Sequence, residues 1–181
     1  NLFYPIESAR EVFDFYMPWS ASLPDEMTTA FNITSFPPID IVPEPLRGRA
    51  FAIVRGCHCG DLAEAQTLVD AWRRWRAPQI DAFGPMPFRD AATISQDPVD
   101  PVPAVSSGRW LTGLDSGVLD AMIDTVVGGD HPSPMLFAET RHAGGAIATP
   151  VPGASFAARG ADRMLEVVGL VPDREAHVEA E

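Results

Sequence analysis

The stretch Met27-Thr28-Thr29-Ala30-Phe31-Asn32-Ile33-Thr34 sets large apolar residues against small or polar ones, the alternation of a half-buried strand. One face takes Met27, Phe31 and Ile33; the other takes Thr28, Ala30, Asn32 and Thr34. A strand that is apolar on one side needs covering on that side only. Its flanks supply the cover. Upstream, Ser8-Ala9-Arg10-Glu11 has the spacing of a capping box, and Val12, Phe15, Tyr16 and Trp19 follow at helical intervals. Pro18 is expected to kink or end that helix near Met17. Downstream, Phe36 to Gly48 reads as a loop and Arg49 to His58 as a second strand. Asp61-Leu62-Ala63-Glu64 then opens a helix with Ala65, Leu68, Val69, Trp72 and Trp75 on one stripe. Arg73, Arg74 and Arg76 crowd its last turn, where cations suit the helix dipole.

Further along, Ile80 to Phe83 reads as a strand and Met86 to Ile94 as a short helical stretch with Pro87 in its first turn. Gln96 to Gly108 is expected to be a loop and Arg109 to Leu114 a short strand. Ser116 to Val127 forms a helix with Val118, Leu119, Met122, Ile123 and Val126 inward, ended by Gly128-Gly129. Met135 to Thr149 reads as a strand interrupted by Gly144-Gly145, and Arg163 to Leu170 as another. Strands and helices mix without strict alternation. The fold class is therefore α+β, a mostly antiparallel β-sheet with α-helices packed on one face. Residues 1–172 make one domain and 173–181 an acidic tail.

Composition narrows the function. The chain has 181 residues, 46% hydrophobic and 21% charged, with a net charge of −12. All its basic residues are Arg, so a Schiff-base lysine and a phosphate-loop lysine are excluded. No cationic footprint for nucleic acid is visible, and no apolar run is long enough to span a membrane. Two cysteines make no disulfide scaffold, which favours a cytoplasmic location. The Ala-, Pro- and Arg-rich composition points to a GC-rich bacterial genome. With no initiator Met and an opening straight into Leu2-Phe3-Tyr4, the chain reads as a piece of a longer one.

No local motif identifies an enzyme. Cys57-His58-Cys59 lacks the second ligand pair that a tetrahedral zinc site needs, and the remaining histidines His131, His142 and His177 are scattered. Gly144-Gly145 opens no dinucleotide fingerprint; it either lets backbone approach a ligand or marks a bend in a strand. Glu139 and Arg141 share a strand face while His142 takes the other. No G-x-S-x-G elbow occurs.

The order of segments is more informative. Leu2-Phe3-Tyr4-Pro5, a helix, and Leu23-Pro24-Asp25-Glu26 lead into the first long strand. Cys57-His58-Cys59-Gly60-Asp61-Leu62-Ala63-Glu64-Ala65 joins strand to helix, followed by Phe83-Gly84-Pro85-Met86-Pro87-Phe88 and Leu119-Asp120-Ala121-Met122-Ile123-Asp124. His142-Ala143-Gly144-Gly145-Ala146-Ile147 then precedes Ala154-Ser155-Phe156-Ala157-Ala158-Arg159. From about residue 2 to 172 this series resembles the substrate-binding half of bacterial FAD-linked oxidases of the berberine-bridge-enzyme type. The resemblance implies a domain whose open sheet face covers a flavin held by sequence outside this chain. It also implies FAD in the full-length enzyme, little or none bound by this chain alone, and a small organic substrate. Relatives often carry Phe-Pro-His-Arg where Phe156-Ala157-Ala158-Arg159 stands, and some place an acid just after the Gly pair, where this chain has Ala146-Ile147-Ala148-Thr149. No catalytic residue is therefore transferred.

The substrate-contact candidates are Asn32, Trp110, Glu139, Arg141 and His142, expected to gather on the sheet face opposite the helices. The partners expected are the missing flavin-binding part, the substrate, and a second copy of the chain if the uncovered face is apolar. The competing reading is a stand-alone α+β ligand-binding or dimerisation module without redox activity.

Overall fold

The computed structural model describes residues 1–95, 100, 102–129, 133–156 and 158–171. The acidic tail and the histidines His131 and His177 lie outside the described residues. In chain order the elements are β1 (Leu2–Pro5), α1 (Ala9–Ala21), β2 (Met27–Ser35), β3 (Ala50–His58), α2 (Leu62–Trp75) and β4 (Ile80–Asp81). A 3₁₀ stretch (Phe88–Thr93) leads to β5 (Ala104–Leu111), α3 (Ser116–Val127), β6 (Met135–His142), α4 (Gly145–Ala148) and β7 (Arg163–Leu170).

The strands form one seven-stranded sheet in the order β4-β1-β3-β2-β6-β7-β5. Every pairing is antiparallel. The fold class is α+β. The first part of the chain builds one side of the sheet and the second part builds the other, and they meet where β2 pairs with β6, Asn32 opposite Glu139.

Alternation places Phe31 and Ile33 of β2 with Ala52 and Val54 of β3, Leu2 and Tyr4 of β1, and Ala138 of β6 in one buried core. α1 brings Val12, Phe13, Tyr16 and Trp19 to that core, α2 brings Trp72, and α3 brings Leu119, Met122 and Val126. Trp72 is fully buried among rings: Phe15 at 4.7 Å, Trp19 at 5.3 Å and Trp75 at 5.8 Å between centroids. Such contacts add about 0.5–1.5 kcal/mol per pair to area burial. The helices thus share one face of the sheet.

The opposite face is covered over part of its area. Phe3, Phe51 and Ile53 pack there with Leu46, and the 36–49 loop brings Phe36 and Val42 against them. Arg47 holds the loop together, donating to the carbonyl of Val42 at 3.0 Å and pairing with Asp40 at 3.1 Å.

Several local expectations are corrected. α1 does not end at Pro18 but runs to Ala21, because Pro18 and Asp14, whose carbonyl the missing N–H would have met, lie on the exposed side of the helix. Ser8 makes no capping hydrogen bond; its hydroxyl accepts from Arg76 at 3.1 Å, and Glu11 pairs with Arg76 as well. β5 starts at Ala104, not Arg109, since pairing with β7 extends it through Ser106 and Ser107. β6 ends at His142 instead of continuing to Thr149. There Gly145 takes φ +54° and turns the chain into α4, and a Cβ on it would lie 2.6 Å from the Asp25 carboxylate.

Candidate functional site

The register joins Asn32, Glu139 and Arg141 on the open face, the one opposite the helices. Asn32 faces Glu139, Ala30 faces Arg141, and Ala30 also faces Arg55 of β3. On the far side Glu139 faces Glu166 and Arg141 faces Met164, which in turn faces Trp110 of β5. Asn32, Trp110, Glu139 and Arg141 therefore share this face. His142 does not join them. It lies one residue beyond Arg141, so the same alternation sends it to the helix side beside Arg163.

Glu139 is the centre of the polar cluster and only 1% exposed. One of its oxygens accepts from Arg55 Nη1 at 2.8 Å and the other accepts from Arg141 Nε. Arg141 reaches on to Glu166 at 3.3 Å. Arg55 also donates to the Asn1 side-chain oxygen at 3.3 Å and to the carbonyl of Ser95 at 3.5 Å. A carboxylate this buried is tolerable only because two guanidiniums contact it directly. Asn32 is 2% exposed, and its Nδ2 finds no acceptor among the described residues.

Trp110 stands at the outer edge of this face, packed edge-on against Phe156 at 5.2 Å. Arg159 lies over the Phe156 ring and fastens the returning segment by donating to the carbonyls of Ile147 (2.7 Å) and Thr149 (2.8 Å). The open face is thus polar and ion-paired at its centre with an aromatic pair at one side.

His142 sits against Gly144, where a Cβ would come within 2.8 Å of the imidazole ring, so a larger residue there would displace the ring. Burial lowers the His142 pKa and the nearby Arg163 lowers it further. Arg163 itself is 2% exposed and donates to Ser20 Oγ at 2.9 Å, tying β7 to α1. This is a structural cluster on the helix side. Among the described residues no group of three or more His, Cys, Asp or Glu side chains is placed to hold a metal. Nor is any described helix long and apolar enough to cross a membrane.

Sequence reasoning missed Arg55 and Glu166. A signal for Arg55 existed: it is the lone charge closing the apolar run Phe51-Ala52-Ile53-Val54 and so calls for a buried counter-charge. Glu166 had no local signal, because only cross-strand register brings it to Arg141.

No protein-family model matches the sequence, and no curated protein resembles it significantly. Solved structures do resemble the fold. Physcomitrella patens BBE-like 1 superposes with a TM-score of 0.62 at 15% identity over 97% of this chain. A variant of the same moss protein gives 0.63 at 16% identity. A chitooligosaccharide oxidase gives 0.64 at 13% identity over 94% of this chain. At these identities the likeness is one of fold. This chain spans 38% of the length of the moss protein and 37% of that of the oxidase.

Proposed function

We propose that this chain is the substrate-binding part of an FAD-dependent oxidoreductase, with its open sheet face forming one wall of the reaction chamber. The observation that carries the reading is the superposition of 97% of the chain on little more than a third of a BBE-like protein. A chain that matches only a limited share of a larger fold is read as one part of it.

The N-termini of α2 and α3 do not form a cofactor cradle. A dinucleotide's diphosphate needs free backbone amides, which helix N-termini commonly provide. The N-terminus of α2 is filled by Asp61, which accepts from Ala63 N at 2.8 Å and Glu64 N at 3.1 Å. That of α3 is filled by Asp115, which accepts from Val118 N at 3.0 Å. Both carboxylates would repel a diphosphate. The redox chemistry would belong to the cofactor and to the flavin-binding part that holds it.

The chain's own share is recognition. The Arg55–Glu139–Arg141–Glu166 cluster cancels its own charge, so it offers fixed hydrogen-bond donors without attracting an ion. Asn32 lies buried beneath this face, and Trp110 with Phe156 contributes an apolar flank. A neutral, hydroxyl-bearing organic substrate suits that combination. The oxidase among the fold neighbours is named for a chitooligosaccharide, which agrees with this class.

The test is expression of the full-length protein with Trp110→Ala and Arg141→Ala made singly, and His142→Ala as the comparison from the opposite face. The expected result is an unchanged flavin-to-protein ratio with kcat/KM lowered about tenfold or more in the first two, the loss of a good contact of ~1.4 kcal/mol. Unchanged kinetics in both refutes the wall. A complete reading frame without flavin-binding sequence refutes the oxidoreductase assignment and leaves the stand-alone module.

A further inference from the structure

Cys57 and Cys59 are the only cysteines in the chain, and both are free thiols. Their sulfurs lie 4.0 Å apart at the end of β3. The backbone fixes both positions beside this thiol contact: Cys57 faces Thr28 in the sheet, and the Cys59 N–H donates to the carbonyl of Glu26 at 3.0 Å. His58 takes no part, since its Nδ1 accepts from Gly60 N at 3.1 Å. Both thiols line a cleft of about 570 Å³ walled by Met27, Leu62, Val69, Phe83 and Met86. Cys59 is exposed and Cys57 half-buried.

We propose that Cys57 and Cys59 form a reversible disulfide at the rim of this cleft, with a hydroperoxide as the oxidant. The Cys59 thiolate attacks a peroxide oxygen; the O–O bond breaks, Cys59 becomes a sulfenic acid, and the departing oxygen leaves as water after taking a proton. The Cys57 sulfur then attacks Cys59. The S–S bond forms, the S–O bond breaks, and the hydroxyl leaves as water with the Cys57 proton. In sum, two thiols and one hydrogen peroxide give one disulfide and two waters, with two electrons passing from sulfur to oxygen.

The division of labour follows from access. Solvent and peroxide reach Cys59 directly. Burial pushes the Cys57 thiol up, and its Cys59 neighbour adds to this, so Cys57 serves to resolve and not to attack first. A partner sulfur already 4.0 Å away outcompetes a second peroxide by proximity. The sulfurs must close to about 2.05 Å within a three-residue span, a strained ring that thiols reopen readily.

The test is intact mass after treatment of the full chain with excess hydrogen peroxide in the presence of dimedone. Wild type is expected to lose about 2 Da, take no dimedone, and return to the reduced mass with dithiothreitol. Cys57→Ser is expected to take one dimedone, because its Cys59 sulfenic acid cannot be resolved. Dimedone labelling of wild type equal to that of Cys57→Ser, a gain of about 32 Da mapped to Cys59 by peptide analysis, disulfide-linked dimers, or cysteines left unchanged each overturns the proposal.

Discussion

Replacing Glu139 by Gln keeps the shape of the side chain and removes its charge, leaving Arg55 and Arg141 aimed at a neutral amide. The Arg55–Glu139 contact is 2.8 Å, with the glutamate side chain 2% exposed and the arginine 23%. A hydrogen bond to a charged group contributes about 1.5–3 kcal/mol, and breaking a buried pair from one side costs about 3–5 kcal/mol. Arg141 is half exposed and regains water, so only the Arg55 side carries the full penalty. The expected loss is about 2–3 kcal/mol, a large share of the ~5–15 kcal/mol that holds a domain together. Glu166→Gln is the internal comparison: its 3.3 Å contact reaches only the half-exposed Arg141, and about 0.5 kcal/mol is expected. Urea unfolding followed by circular dichroism reads both, with the denaturant slope unchanged. A Glu139→Gln protein within about 0.5 kcal/mol of wild type, or a Glu166→Gln protein equally destabilised, would refute the placing of Glu139 at the cluster's centre.

Two further outcomes are expected. Asp61→Ala removes the side chain that accepts from Ala63 and Glu64, and should lower stability by about 1 kcal/mol, read as a shifted urea midpoint; Asp61→Asn should recover most of it. Alkali should weaken the fold: burial pushes Tyr4 up to about 12 and Tyr16 well above the ordinary tyrosine range. Below about pH 10 the folded and unfolded chains both keep these protons, whereas above it the unfolded chain alone releases them. Stability therefore falls as pH rises, by about 1.4 kcal/mol per pH unit from Tyr16, and Tyr16→Phe should flatten that slope; a wild-type stability constant from about pH 9 to 11.5 would contradict it.

Much of the fold was legible because its signals are local. The Asp61 cap, the Trp72 stripe and the alternation of Met27 to Thr34 each specify one element without help from distant residues. What failed depended on tertiary context. Ser8 was legible as a cap but is taken by Arg76, just past the end of α2. Ser106 and Ser107 read as loop, yet an edge strand needs only a paired backbone. At the candidate site, alternation along β6 was enough to separate His142 from Glu139 and Arg141. The guanidinium of Arg55 and the carboxylate of Glu166 come from other strands, so their approach depends on register that no window of sequence contains.

The meeting of β2 and β6 also bears on how the molecule is made. Pairings on either side of it are closed by comparatively short spans of chain, whereas Asn32 and Glu139 are more than a hundred residues apart. Loop closure costs this remote pairing about 1 kcal/mol more than its neighbours, so it is expected to form after them. Until it closes, Arg55 has no carboxylate to meet, and the ribbon edges of β2 and β6 both lie open to other chains. The polar cluster is thus complete only once the two halves of the sheet have paired.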